Sequence, residues 1–246
     1  AFQKDHLKTT TSQGYPDTWI YKPHSGCCGK GIRLIQNSFE VSDQSKSGII
    51  QRYIPPYLIG GYKFDFRFYI FLATTDPYTA YIYKEGLARF CSQPYSPPCK
   101  ENLQQVYSHL TNTAVNVQNQ TDKVNILKLA SETINEIKEQ DPRGNNLWNR
   151  IKEVASLVMM AQYNNIMEQI NLQESENRLK QQNPSGAPCP DVPFSRKYFH
   201  IIGIDIMINE DCEPILLEMN DRPSLCVTFD IENTLKTKLI SDVLKL

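Results

Sequence analysis

The apolar positions change spacing along the chain. They come in short β-prone runs through residues 18–91, at helical spacing over 124–172, and in short runs again after 199. TWIYKP at 18–23 and the apolar run at 32–35 flank the glycine-bearing stretch SGCCGKG at 25–31, which predicts a hairpin. A short strand is predicted over 49–54, stopped by Pro55-Pro56 because proline has no amide to give a ladder. Two long strands follow over 63–73 and 79–91, joined by Thr-Asp-Pro turn chemistry at 75–77. The first half therefore reads as an antiparallel sheet. Helices are predicted over 124–140 and 147–172, the second from the spacing of Leu147, Ile151, Val154, Val158 and Ala161, with Asp141-Pro142-Arg143-Gly144 between them. Residues 173–197 are rich in Gln, Asn, Ser and Pro and poor in apolar side chains, so a mobile loop is expected there. Strands over 199–208 and 215–220 surround a turn at 209–214, and 231–246 is amphipathic.

Composition narrows the classes. At about 150 residues per domain, 246 residues make one to two domains. Lys and Arg number 26 against 27 Asp and Glu, a formal charge of −1, so the bulk electrostatics call for neither nucleic acid nor an anionic membrane. No apolar run approaches the roughly 18–20 residues of a membrane helix, and residues 1–14 are too polar for a secretion signal, so a soluble cytoplasmic chain is expected. Seven cysteines, an odd number without a C-x-x-C pair, indicate neither a disulfide framework nor a cysteine-rich zinc site. The chain opens on alanine, and a piece of something longer is expected.

Three places carry candidate chemistry. A hairpin centred on 209–214 sets Asp205 opposite Glu218, with Asn220 on the face of Glu218. Two carboxylates in so apolar a run are costly without a divalent cation, and an all-oxygen set suits Mg²⁺; a solvated hairpin with its acids at the rim is the equal alternative. In KFDFRF, alternation puts Lys63, Asp65 and Arg67 on one face and Phe64, Phe66 and Phe68 on the other. That pattern reads as an ordinary solvated sheet face or as a cleft floor, with lysine for phosphate, arginine for a carboxylate and aspartate for a metal or an incoming amine. Glycines around Lys30, with Lys22 at the end of the preceding strand, would let backbone amides approach phosphate, although the loop is neither a Walker A nor a dinucleotide fingerprint and also reads as a plain hairpin turn. His109 has no ligand spacing and reads as structural.

Taken in order, WIYKPHSGCCGKGI at 19–32, QRYI at 51–54, GYKFDFRFYI at 61–70, YKEGLARF at 83–90, HLTN at 109–112 and FHIIGIDIMINEDCEPILLEMNDRPS at 199–224 resemble the tubulin tyrosine ligase-like family, in its polyglutamylase form. The resemblance implies an α+β, ATP-grasp-like fold of two β-rich lobes with flanking helices, nucleotide held between them. Residues 18–246 would be the central and C-terminal parts of that domain, 1–17 a remnant or linker, and the N-terminal lobe missing. Carried over block by block, Lys22, Cys28, Gly29 and Lys30 would hold ATP phosphates, and Gln51, Arg52, Tyr53 and Ile54 would line the adenine site. Lys63, Asp65, Thr111 and Asn112 would complete the nucleotide site, Asp205, Glu218 and Asn220 would bind Mg²⁺, and Arg67 and Arg89 would face the amino-acid or acceptor carboxylates.

The implied reaction is two-step acyl transfer: the acceptor carboxylate takes the γ-phosphoryl group of ATP, and the amine of a free amino acid then displaces phosphate. The implied partners are tubulin or microtubules and a free amino acid, glutamate first, glycine or tyrosine second; a monomer with no nucleic-acid or membrane partner is expected. Cytoplasm and cytoskeleton, with cilium or basal body, follow as locations. Glutamylating members continue HLTN with an aromatic, a serine and a lysine, where this chain has Thr113, Ala114, Val115, Asn116 and Val117, and EMNDRPS departs from the commoner EVN-x-x-PS. The competing class is a microtubule-binding pseudoenzyme, against which the Asp205, Glu218, Asn220 set argues.

Overall fold

The computed structural model describes residues 17–24, 29–36, 47–117, 126–181 and 199–246. Strands β1 (Trp19–Pro23), β2 (Arg33–Ile35) and β3 (Gly48–Arg52) form an antiparallel sheet in the order β2-β1-β3, with Ile20 opposite both Leu34 and Gln51. The expected hairpin is thus present, although Cys28 and the rest of 25–28 lie outside the described residues.

β4 (Leu58–Ile59) turns into β5 (Tyr62–Thr75) through Gly60-Gly61, at φ +57° and +83°. Two consecutive positive φ values are what a two-residue hairpin loop demands, and glycine meets that demand without steric cost. β5 then runs for 14 residues. Phe64, Phe66 and Phe68 are each 0% exposed, and the opposite face is covered too, since Lys63 is 8% and Asp65 2% exposed. The charged face of this strand is therefore not a solvated sheet surface.

The continuous strand expected over 79–91 is corrected to two, β6 (Tyr78–Ile82) and β7 (Leu87–Phe90). The break falls at Gly86, where a Cβ would stand 2.6 Å from the Arg67 carbonyl oxygen and 2.6 Å from the Phe68 ring. Glu85 fixes the break, its carboxylate accepting from the Gly86 amide at 2.9 Å and from the Ser131 hydroxyl at 2.6 Å. A second sheet has the order β10-β9-β5-β7-β8, with β4 and β6 also paired to β5. In it, β9 (His200–Ile208) and β10 (Pro214–Asn220) match their expected positions, and β8 (Leu127–Leu129) replaces the first turns of the helix expected over 124–140.

Two four-residue helices, α1 (Val106–His109) and α2 (Thr113–Asn116), are too short to leave a periodic signal. α3 (Ala130–Gln140) ends where the Asp141 carboxylate accepts from the Arg143 amide and starts a 3-10 turn, Pro142–Asn146. α4 (Leu147–Gln181) corrects the first part of the loop expected over 173–197, because the helix continues to 181; residues 182–197 lie outside those described. The run from 173 to 181 consists mainly of good helix formers and meets no proline before Pro184, so its polarity does not exclude a helix. None of the described helices is long and apolar enough to cross a membrane.

The chain divides into two compact units, the first comprising Ala1–Asp65, Ala88–Lys128 and Met207–Glu213, the second Phe66–Leu87, Leu129–Ile206 and Pro214–Leu246. In the first, the Phe64 and Phe90 rings meet at 5.3 Å, and the Tyr57 amide donates to Ile208 at 2.8 Å. In the second, Tyr69, Phe71 and Leu87 pack with Leu235, Leu239 and Val243 of α5 (Asp230–Val243), and Trp148 meets Phe68 at 5.4 Å. The architecture is mixed α+β with antiparallel sheets.

Gly86→Ala should lower the urea midpoint of unfolding by the equivalent of about 1–3 kcal/mol with m unchanged, because the added methyl meets backbone and a fully buried ring.

Candidate active site

The first unit collects most of the expected nucleotide residues. Its centre is Lys63, whose Nζ donates to the Tyr53 hydroxyl at 3.1 Å and stands 4.6 Å from the centroid of the same ring. Among the described residues no carboxylate lies within ion-pair distance of Lys63. Burial lowers its pKa, and the charge of Asp65 opposes that shift. Asp65 is itself spanned by Arg89 on β7, Nε to Oδ1 at 2.8 Å and Nη2 to Oδ2 at 2.5 Å. The Phe90 to Cys91 backbone keeps β7 in place beside β5, with the Cys91 amide donating to the Lys63 carbonyl at 2.9 Å.

Tyr53 connects Lys63 to two rings of no expected role. Its hydroxyl lies 3.4 Å from His109 Nδ1, the two rings meet edge to face at 5.9 Å, and Tyr95 meets His109 edge to face at 5.7 Å. Burial, with the nearby Lys63 charge, pushes His109 down to about 4, and burial raises Tyr53, Tyr95 and Cys91, the last to about 12. Near neutral pH, His109 is thus an uncharged ring, and its Nε2 is buried with no hydrogen-bond partner among the described residues. A buried polar atom left in that state costs about 1–3 kcal/mol. Sequence reasoning set His109 aside and missed Tyr95; the signal available was that His109 opens the HLTN block.

That block is held by a buried amide. Asn116, 0% exposed, accepts from the Ser92 amide and hydroxyl at 2.7 and 2.9 Å and donates to the carbonyls of Leu110 at 2.7 Å and Asn112 at 3.1 Å. It therefore clamps the backbone on both sides of Thr111, which is itself buried. Gly29, at φ +80°, approaches the same block so closely that a Cβ there would stand 2.9 Å from Asn112 Oδ1. The glycine turn and the HLTN block, far apart in sequence, are thereby brought together.

Other expected residues have defined but looser settings. Lys22 sits on β1 opposite Ile49, half-buried, and Lys30 is exposed in the turn after Gly29. Gln51 and Arg52 belong to β3, with Arg52 reaching Asp17 at 2.9 Å while its side chain stays 60% exposed. The Tyr53 amide donates to the Thr18 carbonyl at 2.9 Å, and Ile54 is half-buried. That bond removes one of the main-chain groups otherwise available to a base.

In the second unit, Arg67 spans Asp205: Nε donates to Oδ1, and Nη2 to Oδ2 at 2.8 Å, with Asp205 only 3% exposed. Gly203 makes room for this, since a Cβ there would meet Pro223 at 2.9 Å and the Arg67 Cδ at 3.5 Å. On β10, the Asn220 amide donates to Glu218 Oε1 at 3.2 Å, and Glu218 is exposed. The described residues contain no group of three or more His, Cys, Asp or Glu able to hold a metal. Asp205, Glu218 and Asn220 are two carboxylates and an amide, oxygen donors of the kind Mg²⁺ takes; of the three, Glu218 and Asn220 are in contact, while Asp205 is spanned by Arg67.

The model of the family described as "Tubulin-tyrosine ligase family" matches residues 1–246. Tubulin polyglutamylase TTLL13 of Mus musculus is 31% identical over 234 residues, 93% of this chain and 27% of the relative. The probable beta-tubulin polyglutamylase of Tetrahymena thermophila is 31% identical over 246 residues, 96% of this chain and 19% of the relative. Tubulin polyglutamylase TTLL6 of Homo sapiens is 29% identical over 246 residues, 98% of this chain and 26% of the relative. The chain thus spans less than a third of the length of these curated relatives.

A histidine held near 4 rather than the ordinary 6.5 has a definite thermodynamic consequence. Between those values the unfolded chain binds a proton that the folded chain does not, so stability falls as pH drops from 6.5 towards 4, by about 3 kcal/mol in all. Urea midpoints measured from pH 7.5 to 4.5 should decline more steeply in the natural chain than in His109→Phe; parallel declines would contradict the assignment.

Proposed function

Because the chain belongs to the tubulin-tyrosine ligase family, we propose that it is part of an ATP- and Mg²⁺-dependent ligase that adds glutamate to tubulin. The observation that carries this reading is the buried Lys63 ammonium, which has no carboxylate partner among the described residues. A cation in that state calls for an anionic ligand, and a phosphate fits it. The names of the relatives, tubulin polyglutamylases, support glutamate and tubulin as the co-substrates. The fold is read as ATP-grasp-like.

On this reading Lys63 meets nucleotide phosphate as a point charge, and Lys22 and Lys30 add charge beside the glycine turn. Asn112 and Thr111 are offered to the nucleotide by a backbone that Asn116 holds rigid. With the Tyr53 amide committed to Thr18, the base edge is left to the Tyr53 carbonyl and to Ile54, with Gln51 and Arg52 beside them. Asp205, Glu218 and Asn220 are the residues that hold Mg²⁺. The bound nucleotide supplies the phosphoryl group that makes the acceptor carboxylate reactive towards an amine. Arg67 and Arg89 provide planar donor pairs shaped for carboxylates, and Asp65 and Asp205 fill those pairs in their place. Taking up a reactant carboxylate therefore means exchanging one carboxylate for another.

The test is the complete protein with ATP, Mg²⁺, tubulin and each labelled amino acid in turn. Label from glutamate is the expected result; label from glycine or tyrosine alone would overturn the choice of amino acid, and label from none would overturn the ligase reading. Lys63→Met should weaken ATP binding about 10- to 100-fold, the loss expected for a charge-assisted hydrogen bond to phosphate, with the circular dichroism spectrum retained.

A further inference from the structure

Among the described residues Lys63 has no counter-ion. It sits in an aromatic pocket drawn from three separate stretches: Tyr53 after β3, Tyr95 after β7, and His109 at the end of α1. Lys63 Nζ can only donate, so the Tyr53 oxygen accepts from it at 3.1 Å. His109 Nδ1 lies 3.4 Å from the same oxygen, and the tautomer of His109 sets which of the two atoms donates; in either case the contact pins the Tyr53 hydroxyl.

We propose that His109 is a positioning residue that acts on Lys63 through the Tyr53 hydroxyl, presenting its ammonium for phosphate in one orientation. The proposal rests on the nucleotide reading above and extends it to a residue that touches no expected ligand group. The physical reason is that no carboxylate among the described residues pairs with Lys63. An acid beside Lys63 would hold it firmly and would also repel phosphate, whereas hydroxyl oxygen and ring faces stabilise the ammonium without opposing an incoming anion. Such neutral partners hold weakly one at a time, and the contact with His109 keeps the Tyr53 oxygen in place for Lys63. The edge-to-face packing of His109 against both tyrosine rings, at 5.9 and 5.7 Å, fixes the plane in which the Tyr53 oxygen lies. Asp65 also bears on Lys63, but its two oxygens are taken by Arg89.

The test uses the full chain and the variants Tyr53→Phe and His109→Phe, each of which keeps or supplies a ring and removes one link. The first measurement needs no nucleotide: the titration of Lys63, followed by the carbon shift of its labelled ε-position. Both variants should move that titration to lower pH, Tyr53→Phe the more, because each weakens the acceptor that favours the charged form. The second, on His109→Phe, is calorimetric affinity for a non-hydrolysable ATP analogue and for adenosine. The analogue should bind about 3- to 10-fold more weakly than to the natural chain, and adenosine within twofold, since adenosine has no phosphate for Lys63 to meet. An unmoved Lys63 titration in the variants that fold would overturn the proposal whatever the chain binds. Equal losses for the analogue and adenosine would also overturn it, by making the effect general damage. A titration that moves as expected in a chain that binds no ATP analogue would keep the Lys63 network and overturn the nucleotide reading instead.

Discussion

A strand that buries phenylalanines on one face and charges on the other must satisfy those charges from its neighbours, and β5 imposes this on everything around it. Phe64, Phe66 and Phe68 make the strand immovable, because pulling the charged face into solvent would expose three rings that are fully buried. At roughly 25 cal/mol per Å² and 150–250 Å² for each ring, that exposure costs more than any surface ion pair returns. Lys63 and Asp65 therefore stay inside, where an uncompensated charge is worth several kcal/mol. The fold meets the two differently. Asp65 receives a bidentate arginine from β7, and Lys63 receives aromatic faces and a hydroxyl.

Both solutions depend on backbone precision elsewhere. Arg89 can span Asp65 because β7 runs beside β5 from the Gly86 break onwards, and that break exists because the chain passes too close to Arg67 and Phe68 for any side chain. His109 can reach Tyr53 because the segment it opens is clamped at Leu110 and Asn112 by the buried Asn116 amide.

Much of this was legible in the sequence, and what was not has a physical cause. Period-two alternation puts Lys63 and Asp65 on one face, and the hairpin signals locate β1, β2, β9 and β10 closely. Alternation states only that residues share a face; what covers that face is decided by remote segments such as residues 95 and 109, so its burial could not be read. The same limit hid the strand at 127–129, where pairing overrides a local helical pattern, and the packing of Tyr95 against His109. The continuation of α4 to 181 was missed for a different reason: low hydrophobicity was taken for lack of structure, although a solvent-exposed helix needs good helix formers and no prolines more than it needs an apolar stripe.

The two arginine–aspartate pairs set a condition on any chemistry at these sites. A guanidinium that already spans a buried aspartate can take up another carboxylate only by releasing the first, and the released aspartate then needs a second cation. For Asp205, 3% exposed and spanned by Arg67, the proposed function supplies one: a divalent cation held with Glu218 and Asn220 would take up the charge that Arg67 releases. Metal binding at Asp205 and carboxylate capture by Arg67 would then be favourably coupled, each relieving the cost of the other.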